Sequence, residues 1–410
     1  VQQIYQKQFI KDQLAESAEI CRVALSEPEM AGLAKRLLDA PADARSWFEL
    51  LSNYRYTHEP AAMRRMKAAL NADCTPEFPS IEHYGVLQAL TVSLPRVNDL
   101  PLALSIKRKF AEFAVQVARP SEQWRRNFAA GGIKFIDPMA GLATLRQFPA
   151  GELTFNYNRR VSQIWPLQFP PRAVPGFLVE VAFGLKGWGP FIWPHINLWR
   201  PNTLFVRKIE VERSLWRMAK TLEYRPDVKF LMVGSWLFSA EVSRVSPHLT
   251  WMRSIYEDAG AYVVEMGPAR EDEGFMEGSP ERARLYKAGS FNPRQTLIFW
   301  RREDMLAWAV QRMDIADECE CAPLLPAARS RSIRVRSPRP PRAGKHNSPL
   351  LLWNGRSLLS RRPRVYVMLV LILPALVIAA VASTIALWAV APVFLAAFIA
   401  AWLFQYYTFQ

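Results

Sequence analysis

Histidine is the scarcest of the side chains that move protons near neutral pH, with five in 410 residues. Two of the five stand in settings that suit chemistry. His195 closes the run Gly189-Pro190-Phe191-Ile192-Trp193-Pro194-His195, an aromatic stretch that would shield an imidazole from water. His248 follows Ser246-Pro247 at a predicted helix start, where the positive end of the helix favours the neutral ring. His58 and His83 lie in a helical pattern, and His346 lies in a basic, proline-rich stretch. Neither His195 nor His248 has a partner at metal-ligand spacing. Each therefore reads either as a group for proton transfer and substrate binding or as a hydrogen-bonded structural histidine. Cys319 and Cys321 form a C-x-C pair, but a closed zinc site needs four ligands and no second pair stands near, so no metal is expected.

Gly234-Ser235-Trp236 ends an apolar run that reads as a buried strand, and strand ends in α/β sheets are where ligands bind. Val233 and Leu237 fill the outer positions of a GxSxG turn, which excludes a serine-hydrolase elbow. Neither GxxxxGK(S/T) nor GxGxxG occurs, so phosphate-loop and dinucleotide chemistry have no support. His195, Ser235, Trp236 and Arg294 are the candidates for binding a substrate.

The elements that must position these residues are unevenly legible. From about Lys11 to Ala130, apolar spacings of three and four predict short helices. Pro41, Pro60, Pro76, Pro79, Pro95 and Pro101 are expected to bound them. Residues 131–204 are rich in glycine, proline and aromatics and read as a loop-rich wall of a cleft, packed on the domain that follows. Residues 205–320 alternate helix and strand. Helices are expected over 206–223, 247–259, 280–288 and 302–313, and strands over 228–238, 261–266 and 296–300. Ser246-Pro247 and Ser279-Pro280 stand where helices begin, and Gly260 and Gly289 where they end. The fold class is thus α/β: a helical N-terminal region, 1–130, and a mixed α/β domain, 205–320, followed by a linker and a transmembrane helical hairpin.

The formal charge of +15 is the property of that linker. Eleven Lys and Arg lie between Arg329 and Arg364 and no acid follows Glu320, leaving 41 bases against 37 acids in the rest of the chain. No specific nucleic-acid partner is therefore expected. Residues 321–364 read as a basic, proline-rich linker able to attract anionic lipid headgroups. From Val365 to Phe404 no charged residue occurs. As helix this run would reach about 60 Å, roughly twice the hydrocarbon thickness of a bilayer, so 365–410 reads as two crossings with a turn at Trp388–Ala391. The bases before it place the body in the cytoplasm and the chain in the cell membrane as a multi-pass protein. Four cysteines do not make a disulfide framework and suit a reducing compartment.

Between Pro247 and Trp300 the order helix, Gly260, strand, then a helix with Leu285-Tyr286 followed by Gly289 and Phe291, resembles the C-terminal half of the GNAT acyltransferase superfamily. The resemblance covers about fifty residues. It implies acyl-coenzyme A as donor, Tyr286 as the acid that protonates the leaving thiolate and Glu265 as a base, while His248 is a further catalytic candidate from its own place at a predicted helix start. Where that family carries an Arg/Gln-x-x-Gly-x-Gly/Ala turn for the coenzyme A pyrophosphate, this chain has Ser243-Arg244-Val245-Ser246-Pro247-His248. Packing of Leu285 and Tyr286 on the sheet is the other reading of the pair. The stretch from Gly187 to Ala309 also resembles a group of bacterial proteins, a likeness that implies no mechanism.

Two functions follow from these observations: a membrane-tethered transferase of acyl groups or one acting on a lipid-linked substrate, and a non-enzymatic membrane-tethered adaptor or assembly factor. Convergence of His195, Ser235, His248, Glu265, Tyr286 and Arg294 on one cleft favours the first. The hairpin makes its own prediction. Single cysteines at Ala389 and after Gln410, with the native cysteines removed, should react with an impermeant thiol reagent in intact cells at the first position only. The reverse pattern would mean a single crossing.

Overall fold

The computed structural model describes residues 2–37, 41, 43–55, 57–71, 79–130, 132–161, 166, 169–196, 207–270, 276 and 279–320. The linker 321–364 and the hairpin 365–410 lie outside the described residues. Among the described residues no helix is long and apolar enough to cross a membrane.

The N-terminal part is helical, as its periodicity predicts: α1 (Gln2–Leu25), α2 (Pro28–Arg36), α3 (Ala44–Ser52), α4 (Ala61–Asn71), α5 (Ile81–Val97), α6 (Leu104–Ala118), α7 (Glu122–Ala130) and α8 (Ile133–Ala143). Asp43 and Ser80 cap α3 and α5 by accepting from Ser46 N and His83 N. Pro95 does not bound a helix as expected. It sits inside α5, two residues from its end, where the helix lacks the hydrogen bond that an amide at this position would donate to Thr91 O. The core of this part forms where α1, α5 and α6 meet, around Ile10, Leu14, Leu87, Leu90 and Phe110.

Six strands form one mixed sheet: β1 (Phe148–Pro149), β2 (Leu153–Asn158), β3 (Phe191–Ile196), β4 (Phe230–Ser235), β5 (Tyr262–Pro268) and β6 (Arg294–Arg301). Their order is β1-β2-β3-β4-β6-β5. The segment expected to be irregular is therefore more regular than its composition suggests, since it holds α8, three of these strands and α9 (Val174–Val179), which runs into a π turn over Glu180–Gly184. Pro194 is tolerated within β3 because beyond Ile192 this strand has a paired neighbour on one side only.

The predicted alternation is present downstream as α10 (Lys208–Glu223), β4, α12 (Trp251–Glu257), β5, α13 (Pro280–Lys287), β6 and α14 (Arg302–Gln311), except that the strand expected to Phe238 ends at Ser235 in a 3-10 turn and is followed by a short helix not expected from the sequence, α11 (Ala240–Val245). Successive residues of a strand face opposite sides of the sheet, and β6 shows what covers each. Phe299 meets Phe177 of α9 at 5.2 Å, while Trp300 meets Trp308 of α14 and Tyr256 of α12 at 5.1 and 5.5 Å. So α9 lies on one face, and α12 and α14 on the other. Trp216 of α10 donates to Ala309 O of α14 at 3.0 Å. Arg217 ties Asp317 to Ala150 O, clamping α10, the β1–β2 turn and the end of the described chain together.

Among the described residues every strand pairing is antiparallel except β3 with β4, which is parallel with the register pairs Phe191–Phe230 and Ile192–Leu231. Phe191 and Phe230 stack there, 5.3 Å apart and 2° from parallel. Because this stack joins the two halves of the sheet, Phe230→Ala should cost about 3–5 kcal/mol and Phe230→Leu about 1–2 kcal/mol. The urea midpoints of the purified chain check both values.

Candidate active site

Beyond Ile192 and Leu231, β3 and β4 no longer pair, and a cleft of about 410 Å³ opens between them. Its walls are Trp193 and His195 of β3, Val233 to Ser235 of β4, Lys134 and Asp137 of α8, Val211 of α10, and Met252 and Tyr256 of α12. The position is a topological switch point: two parallel strands present their C-terminal ends on either side of a gap, and peptide groups facing the gap have no strand partner. Gly234 is there for packing, since a Cβ would meet Leu297 Cδ2 at 2.6 Å. Ser235 accepts from Leu237 N at 3.2 Å, which turns the chain out of β4.

His195 is held in one tautomer by a short relay. Asn156 Nδ2 donates to Asn158 Oδ1 at 3.2 Å, so Asn156 Oδ1 is the acceptor for His195 Nε2–H at 2.6 Å, and the lone pair sits on Nδ1. The ring lies nearly parallel to Trp193, 6.4 Å away. Burial pushes the His195 pKa down to about 4, partly offset by the negative charge of Asp137. Asp137 itself pairs with Arg146 at 3.3 Å, and burial lowers that guanidinium to about 10.

Tyr256 lines the same cleft from α12. Only 4% of it is exposed, and its ring is wedged edge-on between Phe238 and Trp300. Its hydroxyl has no hydrogen-bond partner among the described residues, and burial raises its pKa. It was not among the residues singled out by sequence. The signal was present, however: Ile255-Tyr256 followed by Gly260 repeats the order of Leu285-Tyr286 followed by Gly289, and both glycines adopt positive φ, at 78° and 70°. Lys134 and Asp137 carried no comparable signal, because they come from a helix within the segment read as irregular.

Of the residues chosen from sequence, His195 and Ser235 line the cleft, and the others do not. Glu265 accepts from Ala240 N at 3.3 Å and from Arg253 at 3.4 Å, with Arg294 Nε at 3.8 Å, so its charge is already engaged. Arg294 also donates to Met266 O. Trp236 lies under Arg282, 5.4 Å from the ring centroid. His248 is exposed in a three-residue 3-10 turn, Pro247–Leu249, too short to supply the dipole expected of a helix. Tyr286 is half-buried on α13. The helix whose first turn reaches the cleft is α10, through Val211, with Arg207 and Lys208 at its start. Among the described residues no group of acidic, histidine or cysteine side chains could hold a metal ion.

No protein-family model matches the chain, and no curated protein matches it. Among solved structures it is similar to the crystal structure of an acyltransferase mutant in complex with octanoyl-CoA, at a TM-score of 0.35 and 14% identity, over 70% of this chain and 88% of that chain.

The lowered pKa of His195 has a consequence for stability. As pH falls, the unfolded chain takes up the proton near the ordinary value of 6.5, before the folded chain does near 4. The stability associated with the neutral ring is thus intact above about 6.5 and is lost between there and about 4. His195→Gln should flatten this part of the stability-pH curve. His83, lowered by burial to about 4, keeps the remaining slope in the variant.

Proposed function

We propose that this chain transfers an acyl group from a thioester donor, with acyl-coenzyme A as the donor, in the cleft between β3 and β4. The observation that carries the reading is the placement of a neutral His195 and an unpartnered Tyr256 hydroxyl across a gap whose strand edges are free. The donor's amide arm would add to the open edge of β4 as an extra strand does, hydrogen-bonding to peptide groups near Val233 to Ser235. Its phosphate end would lie toward the first turn of α10, beside Arg207 and Lys208. Trp193, Leu237, Phe238 and Met252 supply an apolar lining suited to an acyl chain.

The chemistry then follows from the two groups. An acceptor amine or hydroxyl attacks the thioester carbonyl, the new bond to carbon forms, and the carbon–sulfur bond breaks. His195 Nδ1 takes the proton the acceptor loses. A base with a pKa of about 4 is weak, but it is always unprotonated at neutral pH, and the proton it removes has become acidic by bonding of its atom to carbon. Tyr256, raised in pKa by burial, stays protonated and donates a hydrogen bond to the leaving sulfur. The sulfur receives its proton from the imidazolium or from water, so that acceptor–H and acyl thioester become acylated acceptor and thiol.

This reading moves the acid implied by resemblance from Tyr286 to Tyr256, because Tyr256 lines the cleft. The uncharged run 365–404 would keep the enzyme on a bilayer, where a lipid-linked acceptor is at hand. The scatter of His248, Glu265, Tyr286 and Arg294 away from the cleft favours the adaptor as the second reading. Thiol release from acyl-coenzyme A donors of several chain lengths separates the two. Tyr256→Phe should lower turnover about 100-fold or more, and Tyr286→Phe should leave it within a few-fold. Absence of thiol release with any donor and any membrane extract as acceptor would sink the transferase.

A further inference from the structure

The helical stretch from Pro171 through Gly184 is apolar on both sides. Phe177, Val181 and Leu185 point into the sheet and join the core around Phe191, Phe230 and Phe299. Pro171, Pro175, Leu178, Val179, Ala182 and Phe183 recur at the same helical spacing on the opposite side, and all six are exposed. Leu178, Val179 and Phe183 are 38%, 58% and 80% exposed. A helix apolar all round belongs inside a protein core or against lipid, and a contiguous apolar face of this kind marks an interaction surface.

Charge around this face is one-sided. Arg172 stands on its first turn, and Lys186 and Lys229 stand at its end, where Lys229 donates to Lys186 O. Arg159 and Arg160, both exposed, precede Val161, whose amide donates to Trp188 O in the same turn. Of the acids nearby, Glu180 turns inward to Arg301, and Glu303 pairs with Lys186 and offsets it, so the excess of positive charge at the rim comes from Arg160, Arg172 and Lys229. An apolar helical face rimmed by bases is the arrangement that lies in the headgroup region of an anionic bilayer.

We infer that the outer face of α9 and its π turn docks on an anionic lipid bilayer. The charge complementarity is reinforced by the chain beyond Glu320, whose eleven bases and uncharged forty-residue run are themselves suited to such a membrane. The inference rests on the anchored reading of 365–404 only in that the anchor brings the face near lipid.

The test uses the full chain in vesicles of phosphatidylcholine and phosphatidylglycerol with brominated acyl chains. Cys74 and Cys321 are replaced by serine, while Cys21 and Cys319 are buried and can remain. A bimane label is placed at Phe183→Cys, at Val179→Cys, or at Val310→Cys on α14, a control position that is 59% exposed. Labels at 183 and 179 should be quenched at least about twofold more than the label at 310. Phosphatidylcholine alone, or the double change Arg160→Ala and Arg172→Ala, should weaken that quenching. Equal quenching at the three positions overturns the inference. So does a blue-shifted but unquenched label at 183, which would mean that protein covers the face. Alkaline carbonate extraction of the same vesicles reports separately on the anchor: a chain that is stripped has lost that reading, and the quenching at 183 measured before extraction still decides the docking face.

Discussion

A short parallel seam joins the two halves of the sheet. β1, β2 and β3 form one antiparallel group and β4, β5 and β6 another, and among the described residues they are joined by the pairs Phe191–Phe230 and Ile192–Leu231 and by Lys229 N, which donates to Pro190 O at 2.9 Å. Parallel neighbours need a crossover, which α10 supplies, and right-handed twist tends to separate strands that are not pinned along their length. The seam is therefore closed at one end by stacked phenylalanines and open at the other. Peptide groups on the open edges lie in a partly buried gap, where leaving them unpaired is costly, so they call for water or a ligand. The candidate site is in this sense a product of how the sheet is joined rather than an addition to it.

The distribution of charge reinforces this. Most acidic and basic side chains around the cleft are engaged with one another, Glu265 with Arg253 and Arg294, Asp137 with Arg146, Glu180 with Arg301, while Lys134 lines the cleft from an exposed position on α8. What remains at the centre of the cleft is a neutral imidazole and a neutral phenol, each kept neutral by burial. Such a pair can accept and donate hydrogen bonds without the desolvation cost of a buried ion, and it suits a reaction whose charge appears only in the transition state.

The parts of the fold that were legible in the sequence are those with a regular period and clear end signals. α10, α12, α13 and α14 and the strands β4, β5 and β6 lie within a few residues of where apolar spacing, Ser-Pro starts and terminal glycines place them. The stretch from Gly131 to Asn202 was not legible, because β3 carries Trp193-Pro194 and β2 is short, so neither displays a clean alternation. Their strand character comes from pairing with each other, a tertiary fact. Of the site, His195 and Ser235 were found because a rare residue type and a strand end mark them. Tyr256 was not, because its helix and that of Tyr286 carry the same local order, and only the sheet decides which one packs beside the gap.

The alternation along β3 connects the cleft to the outer apolar face. Phe191, Trp193 and His195 share one side of the strand, the side on which Phe191 joins the core under α9. Tyr256 belongs to the other side, against Trp300. The gap between β3 and β4 thus receives one candidate group from each face of the sheet, which is what an opening through the sheet, rather than a dent in one surface, requires. If α9 rests on lipid, the His195 side is the side turned toward the bilayer and the Tyr256 side is turned toward water. An acceptor deprotonated by His195 would then come from the membrane side, and a water-soluble thiol leaving beside Tyr256 would depart on the other.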